Sequence, residues 1–129
     1  MRLKSRINAA GLSAPVARTF AEALTQVASA KGGLEGNETA LIQKLLGKHW
    51  SAEVEAAPFE ALWPHGELFL TCCIYVAVAD GHYDVEEARI VSGYAHRLGL
   101  SAAQLSELEA RVFKELQERG ASRTGEGEA

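Results

Sequence analysis

Acidic side chains are concentrated in one short segment, where they could provide the ligands of a cation site. Asp80, Asp84 and Glu87 fall within eight positions, directly after a strongly apolar run, with His82 and Glu86 between them. Like charges brought together raise one another's pKa unless a cation neutralises them. Carboxylate oxygens suit Ca²⁺, Mg²⁺ or Mn²⁺, and His82 extends the choice to Zn²⁺. The segment is therefore a candidate site for a divalent cation.

Helix capping explains the same residues without a ligand. Asp84 is a good N-cap, and Glu87 at the third helical position can bond back to the Asp84 backbone amide, as in a capping box. Gly81 suits the preceding turn. The spacing is not that of an EF-hand, which needs glycine at its sixth position and glutamate at its twelfth; here Gly81 is second and Val91 is twelfth. Both interpretations stay open, and the residues alone favour capping.

The elements that must position this segment are predicted to be helices, because no window alternates apolar and polar residues. The run before Asp80 is apolar on nearly every side, which indicates a helix surrounded by others. Besides a short helix at the very N-terminus, we predict helices over residues 13–31, 37–46, 51–58 with a further turn at 59–63, 65–79, 84–98 and 101–119. The predicted fold is an all-α compact bundle of about seven helices.

An internal repeat relates two parts of the chain, about 20–47 and 69–96. Sliding the chain against itself aligns Phe20 with Phe69, Val27 with Val76, Gly32 with Gly81 and Glu38 with Glu87. We expect two helix-loop-helix units related by a pseudo-twofold axis, with both glutamates pointing inward.

The two loops of the repeat differ at one position. Lys31 stands where Asp80 stands in the second copy, while Glu35 and Glu38 keep their carboxylates. A lysine ammonium group can supply internally the positive charge that a metal would supply. Any cation site is therefore predicted to be confined to the second loop.

One stretch carries a family resemblance. Residues 77–101, AVADGHYDVEEARIVSGYAHRLGLS, resemble the signature of the tellurite-resistance protein TerB and its relatives, in which A-x-A-D-G-x-x-D-x-x-E opens a helix that ends in L-G-L-S. The same domain type occurs in the N-terminal part of a membrane-anchored DnaJ-like co-chaperone. The resemblance implies a TerB-like helical domain with twofold internal similarity, an acidic patch associated with divalent metal, and a role in tellurite, metal or envelope stress. Position by position it points to Asp80, Asp84 and Glu87 and, more weakly, to Glu35 and Glu38.

Composition limits the remaining possibilities. The 129 residues fit one domain, predicted over 13–119, after a short basic segment at 1–12 and before a small polar tail at 120–129 that we expect to be disordered. A net charge of −4 argues against a nucleic-acid surface. No run reaches the ~20 apolar residues of a membrane span, and the N-terminus lacks a signal peptide's apolar region. The prediction is a soluble cytoplasmic protein.

An enzyme is the weakest hypothesis. Cys72 and Cys73 lie mid-helix in an apolar run, where small core residues are the expected interpretation, and a nucleophile-base pair with His96 would lack a supporting third residue. We predict a non-enzymatic module.

Its predicted mode of action is binding to a protein partner, with cation binding at the acidic loop as an added property. The alternative is a scaffold domain that never binds metal, with Trp50, Phe59 or Trp63 as an aromatic contact, although such residues more often lie in the core. A membrane-associated complex and a homodimer stay open.

Overall fold

The structure is a computed structural model. It describes the backbone of residues 2–29, 42–47, 53–78 and 83–128, and the side chains of those residues except 2 and 119–128. The helices whose two ends are both described are α1 (Arg2–Ala10), α2 (Ala14–Ala28), a 3₁₀ helix (Phe59–His65), α3 (Gly66–Ala77), α4 (Val85–Arg97) and α5 (Ala102–Glu128). Residues 42–46 are also helical, and the described ranges contain no strand. The all-α prediction is confirmed, whereas a total of about seven helices is not.

Helix α3 is the centre of the molecule. It packs against α1, α2, the 3₁₀ helix, α4 and α5. Every residue of α3 is buried except Glu67 in its first turn. This confirms the prediction that the apolar run forms a helix surrounded by others.

The predicted helix starts agree with the observed caps. The Ser13 hydroxyl accepts a hydrogen bond from the Val16 backbone N–H, with Pro15 in the first turn of α2. At α5, the Gln104 N–H donates to Ser101 Oγ at 3.1 Å, and the Ser101 N–H donates to Gln104 Oε1 at 2.8 Å. This is the capping box expected from the sequence.

The helix predicted to reach Pro58 is wrong, because residues 53–58 are not helical. Their polar groups bond to α2 instead: the Ala57 N–H donates to the Pro15 carbonyl at 3.1 Å, and Arg18 Nη1 donates to the Val54 carbonyl at 2.6 Å. Long-range bonds of this kind replace local helical ones.

The last helix is longer than predicted. Its backbone stays helical to Glu128, whereas the sequence predicted a disordered tail from Gly120. Gly120, Gly125 and Gly127 each cost about 1 kcal/mol relative to alanine inside a helix, so they weaken this helix without having to end it.

Aromatic rings fill the centre of the core around Phe69. Its ring centroid lies 5.1 Å from that of Phe20, 5.8 Å from Phe59 and 5.5 Å from Tyr94. Phe20 and Phe69 are equivalent in the predicted repeat, and residues beside a twofold axis contact their own equivalents. Because the first repeat loop and the start of the second, residues 79–82, lie outside the described residues, the duplication stays a prediction.

Candidate functional site

The acidic corner at the start of α4 contains two of the predicted ligands. The Glu87 N–H donates to Asp84 Oδ1 at 3.0 Å, and the Asp84 N–H donates to Glu87 Oε1 at 3.1 Å. Glu87 is fully buried, as its inward position predicted. The capping interpretation is thereby confirmed for this pair. The predictions for Asp80, His82, Glu35 and Glu38, and for Lys31, lie outside the described residues.

A metal site at this corner stays a prediction. Within the described ranges no group of three or more His, Cys, Asp or Glu side chains is placed to hold an ion. Complete burial of the Glu87 carboxylate is nevertheless expensive, since a buried charge needs hydrogen bonds or an opposite charge. The Asp84 amide supplies one of those bonds.

Tyr83 connects the acidic corner to α5 through a hydrogen bond and a ring contact. Its hydroxyl donates to Glu109 Oε2 at 2.6 Å, and its ring packs on Phe113 with centroids 5.8 Å apart. Burial raises the pKa of Tyr83, and the neighbouring Glu109 carboxylate raises it further. This link was not predicted, because the hydrogen bond joins residues far apart in sequence.

The cysteines lie in the core, as predicted. Cys72 and Cys73 are fully buried in α3, and burial raises the pKa of both thiols, which opposes thiolate formation. His96 is exposed on α4.

A surface groove surrounds Trp63, an exposed aromatic residue of the 3₁₀ helix. Trp63 is 59% exposed, so the expectation that it lies in the core is wrong, whereas Phe59 joins the core cluster and Trp50 lies outside the described residues. The groove has a volume of about 370 Å³. It is lined by Trp63, Pro64, His65, Gly66, Glu67, Leu68, Leu98, Gly99, Leu100 and Gln104.

Two glycines allow the groove walls to approach each other. Gly99 follows α4 with φ +78°, the left-handed conformation of a helix C-terminus, and a Cβ placed there would lie 2.4 Å from Trp63 Cη2. A Cβ on Gly66 would lie 3.3 Å from Leu100 Cδ1. The Trp63 ring is therefore supported from below by a position that only glycine suits. The sequence signal was the glycine after an amphipathic helix, but nothing local connected it to Trp63.

A smaller cavity of about 70 Å³ continues the groove along α5. It shares Glu67, Leu100 and Gln104 with the main groove and adds Glu107 and Arg111. Arg111 Nη2 lies 3.1 Å from Glu107 Oε1, so this pair neutralises itself. Glu67 is exposed and forms no ion pair with any residue that the structure describes.

Comparison with known proteins gives no relative. No protein-family model, characterised protein or solved structure matches the chain. In the described part of the chain, no helix has both the length and the apolar character needed to cross a membrane.

Proposed function

We propose that the chain is a non-enzymatic TerB-like module of the cytoplasm that acts by binding a protein partner through the Trp63 groove. A role in tellurite, metal or envelope stress belongs to this proposal through the motif in residues 77–101. The observation that carries the binding function is the exposure of Trp63 at 59% while its ring edge rests on Gly99. Tryptophan is among the residues most enriched at interface hot spots.

The energetic argument is that this ring still has most of its surface to bury. A tryptophan side chain buries up to roughly 250 Å², so about 150 Å² of Trp63 stays available to a partner. At about 25 cal/mol per Å², removing this surface from water contributes roughly 3–4 kcal/mol before the costs of association are subtracted. Because Gly99 already supports the ring, little side-chain freedom is lost on binding.

Retention of partners on immobilised protein tests this proposal. The bound proteins are compared for the wild type, Trp63→Ala and the matched control Val85→Ala, which removes a similarly exposed apolar side chain at the start of α4. We expect a partner that the wild type and Val85→Ala retain and Trp63→Ala loses. A second copy of the chain or a membrane-associated complex would be recognised as the retained species. Equal retention by all three proteins would contradict a Trp63-dependent function.

Cation binding at the acidic corner is the second candidate function. It is favoured by the fully buried Glu87 carboxylate beside Asp84 at the edge of the loop. Calorimetric titration with Ca²⁺, Mg²⁺, Mn²⁺ and Zn²⁺ tests it: we expect a response that Asp80→Asn abolishes and Lys31→Ala leaves intact. Equal effects of both substitutions would count against a site confined to the second loop. If none of the four ions gives a binding heat, the result favours the alternative, a pure interaction or scaffold domain that binds no metal.

The non-enzymatic part of the proposal draws support from the cysteines. Both thiols are buried and their pKa values are raised, so neither is available as a nucleophile. Rapid alkylation of either cysteine by iodoacetamide in the native fold would argue against this part.

A further inference from the structure

One arginine of the fold already shows how an aromatic ring and a carboxylate hold a guanidinium group. The Arg97 Cζ lies 4.0 Å from the centroid of the Phe59 ring, and Arg97 Nη2 lies 3.1 Å from Glu60 Oε2. Stacking on the ring and pairing with the carboxylate act on the same planar group.

The Trp63 groove also contains an aromatic ring and a carboxylate. They belong to Trp63 and Glu67, which are four residues apart across the junction of the 3₁₀ helix and α3. Both are exposed. Among the described residues no cation stacks on Trp63 and none pairs with Glu67. Tryptophan is the ring that attracts cations most strongly.

The exposed Trp63 ring and half-buried Leu100 give the stem of a long cationic side chain apolar surface to pack on. Leu98 also lines the groove but is buried, and Gly66 adds no side chain. Methylene groups of arginine pack on apolar surface of this kind while the charged end stays at the rim.

The charges of the groove disfavour an anionic segment. Its two carboxylates, Glu67 and Glu107, lie with one arginine, Arg111, which already pairs with Glu107, and with His65. An acidic or phosphorylated ligand would lie against Glu67, and among the described residues no lysine or unpaired arginine lines the groove to offset the repulsion.

We infer that the Trp63 groove binds an arginine side chain carried by an exposed segment of the protein partner. The guanidinium group stacks on Trp63 and pairs with the Glu67 carboxylate. Arginine is favoured over lysine because its planar group can stack and form two parallel hydrogen bonds at once. The inference rests on the proposed function and specifies the chemistry of its partner.

NMR titration tests the inference with defined probes. The probes are a short glycine-serine peptide with one central arginine and the same peptide with citrulline, which keeps the shape and removes the charge. We expect the arginine peptide to shift the Trp63 indole N–H resonance, assigned with Trp63→Phe, and to bind about fivefold more tightly than the citrulline peptide.

Matched variants locate the binding site. Trp63→Ala and Glu67→Gln should each weaken arginine-peptide binding about fivefold, while Glu118→Gln, which removes an exposed carboxylate of α5, should leave it unchanged. Equal binding of the two peptides, or full binding by Glu67→Gln, would overturn the arginine site. Partner retention that still depends on Trp63 would then leave the proposed function standing. If neither partner retention nor arginine-peptide binding depends on Trp63, both the proposed function and the arginine site are overturned.

Discussion

Three glycines allow the support of Trp63 to be measured separately from backbone strain. Gly93 lies inside α4 with open space around it, and Gly11 has φ +63° with equally open space. Gly99 has φ +78° and the Trp63 ring directly above it. Alanine at Gly93 therefore tests helix propensity, and alanine at Gly11 tests the strain of a left-handed backbone. Alanine at Gly99 tests the same strain together with steric overlap with the Trp63 ring.

The expected free energies of unfolding follow from these environments. Gly93→Ala should stabilise the protein by about 0.5–1 kcal/mol, because alanine is the better helix former. Gly11→Ala should destabilise it by about 1–2 kcal/mol, the cost of a left-handed conformation for a residue with Cβ. Gly99→Ala should cost about 1 kcal/mol more than Gly11→Ala, because the 2.4 Å approach displaces the ring and exposes its buried edge.

Urea unfolding followed by far-ultraviolet circular dichroism measures all three changes without relying on tryptophan fluorescence. Repeating the series in a Trp63→Ala background should reduce the cost of Gly99→Ala to that of Gly11→Ala, since only the strain then remains. If Gly99→Ala costs the same as Gly11→Ala when Trp63 is present, Gly99 does not support the ring, and the structural argument for the groove fails.

Three further predictions concern the corner and the core. Asp84→Ala should destabilise the protein by about 1 kcal/mol in urea unfolding through loss of the α4 cap, and no change would contradict the capping box. Phe69→Ala should cost about 3–5 kcal/mol, whereas Phe113→Ala, 38% exposed, should cost far less; equal losses would argue against a core centred on Phe69. Because burial raises the thiol pKa of Cys72 and Cys73 above the ordinary value of 9.0, the folded protein holds protons that the unfolded chain releases. The free energy of unfolding should fall between about pH 8 and about pH 10, and the fall should be smaller when both cysteines are alanine; an identical fall would contradict their burial.

Local signals predicted the helices and their caps. The capping boxes at Asp84 and Ser101 involve residues three positions apart, so their chemistry is readable from a short window. The same holds for α3, whose apolar residues on every side require neighbours all round. The inward position of Glu87 followed from its spacing to the apolar stripe of α4.

The groove could not be predicted, because its parts are distant in sequence. Trp63 meets Gly99 only after α3 and α4 have folded back on each other, and a tryptophan in an amphipathic context is normally expected in the core. The bonds from residues 53–58 to α2 are equally long-range, which explains why a helix was predicted there. Local pattern describes elements better than it describes the surfaces formed between them.

Site-specific photo-crosslinking tests the central claim, that the Trp63 groove is the partner-binding surface, most directly. A photoreactive phenylalanine analogue replaces Trp63 in one protein and Val85 in the other, both being exposed apolar positions. After irradiation in cells, we predict a discrete protein adduct from position 63 and none from position 85. No adduct at position 63, or the same adducts at both positions, would contradict the claim.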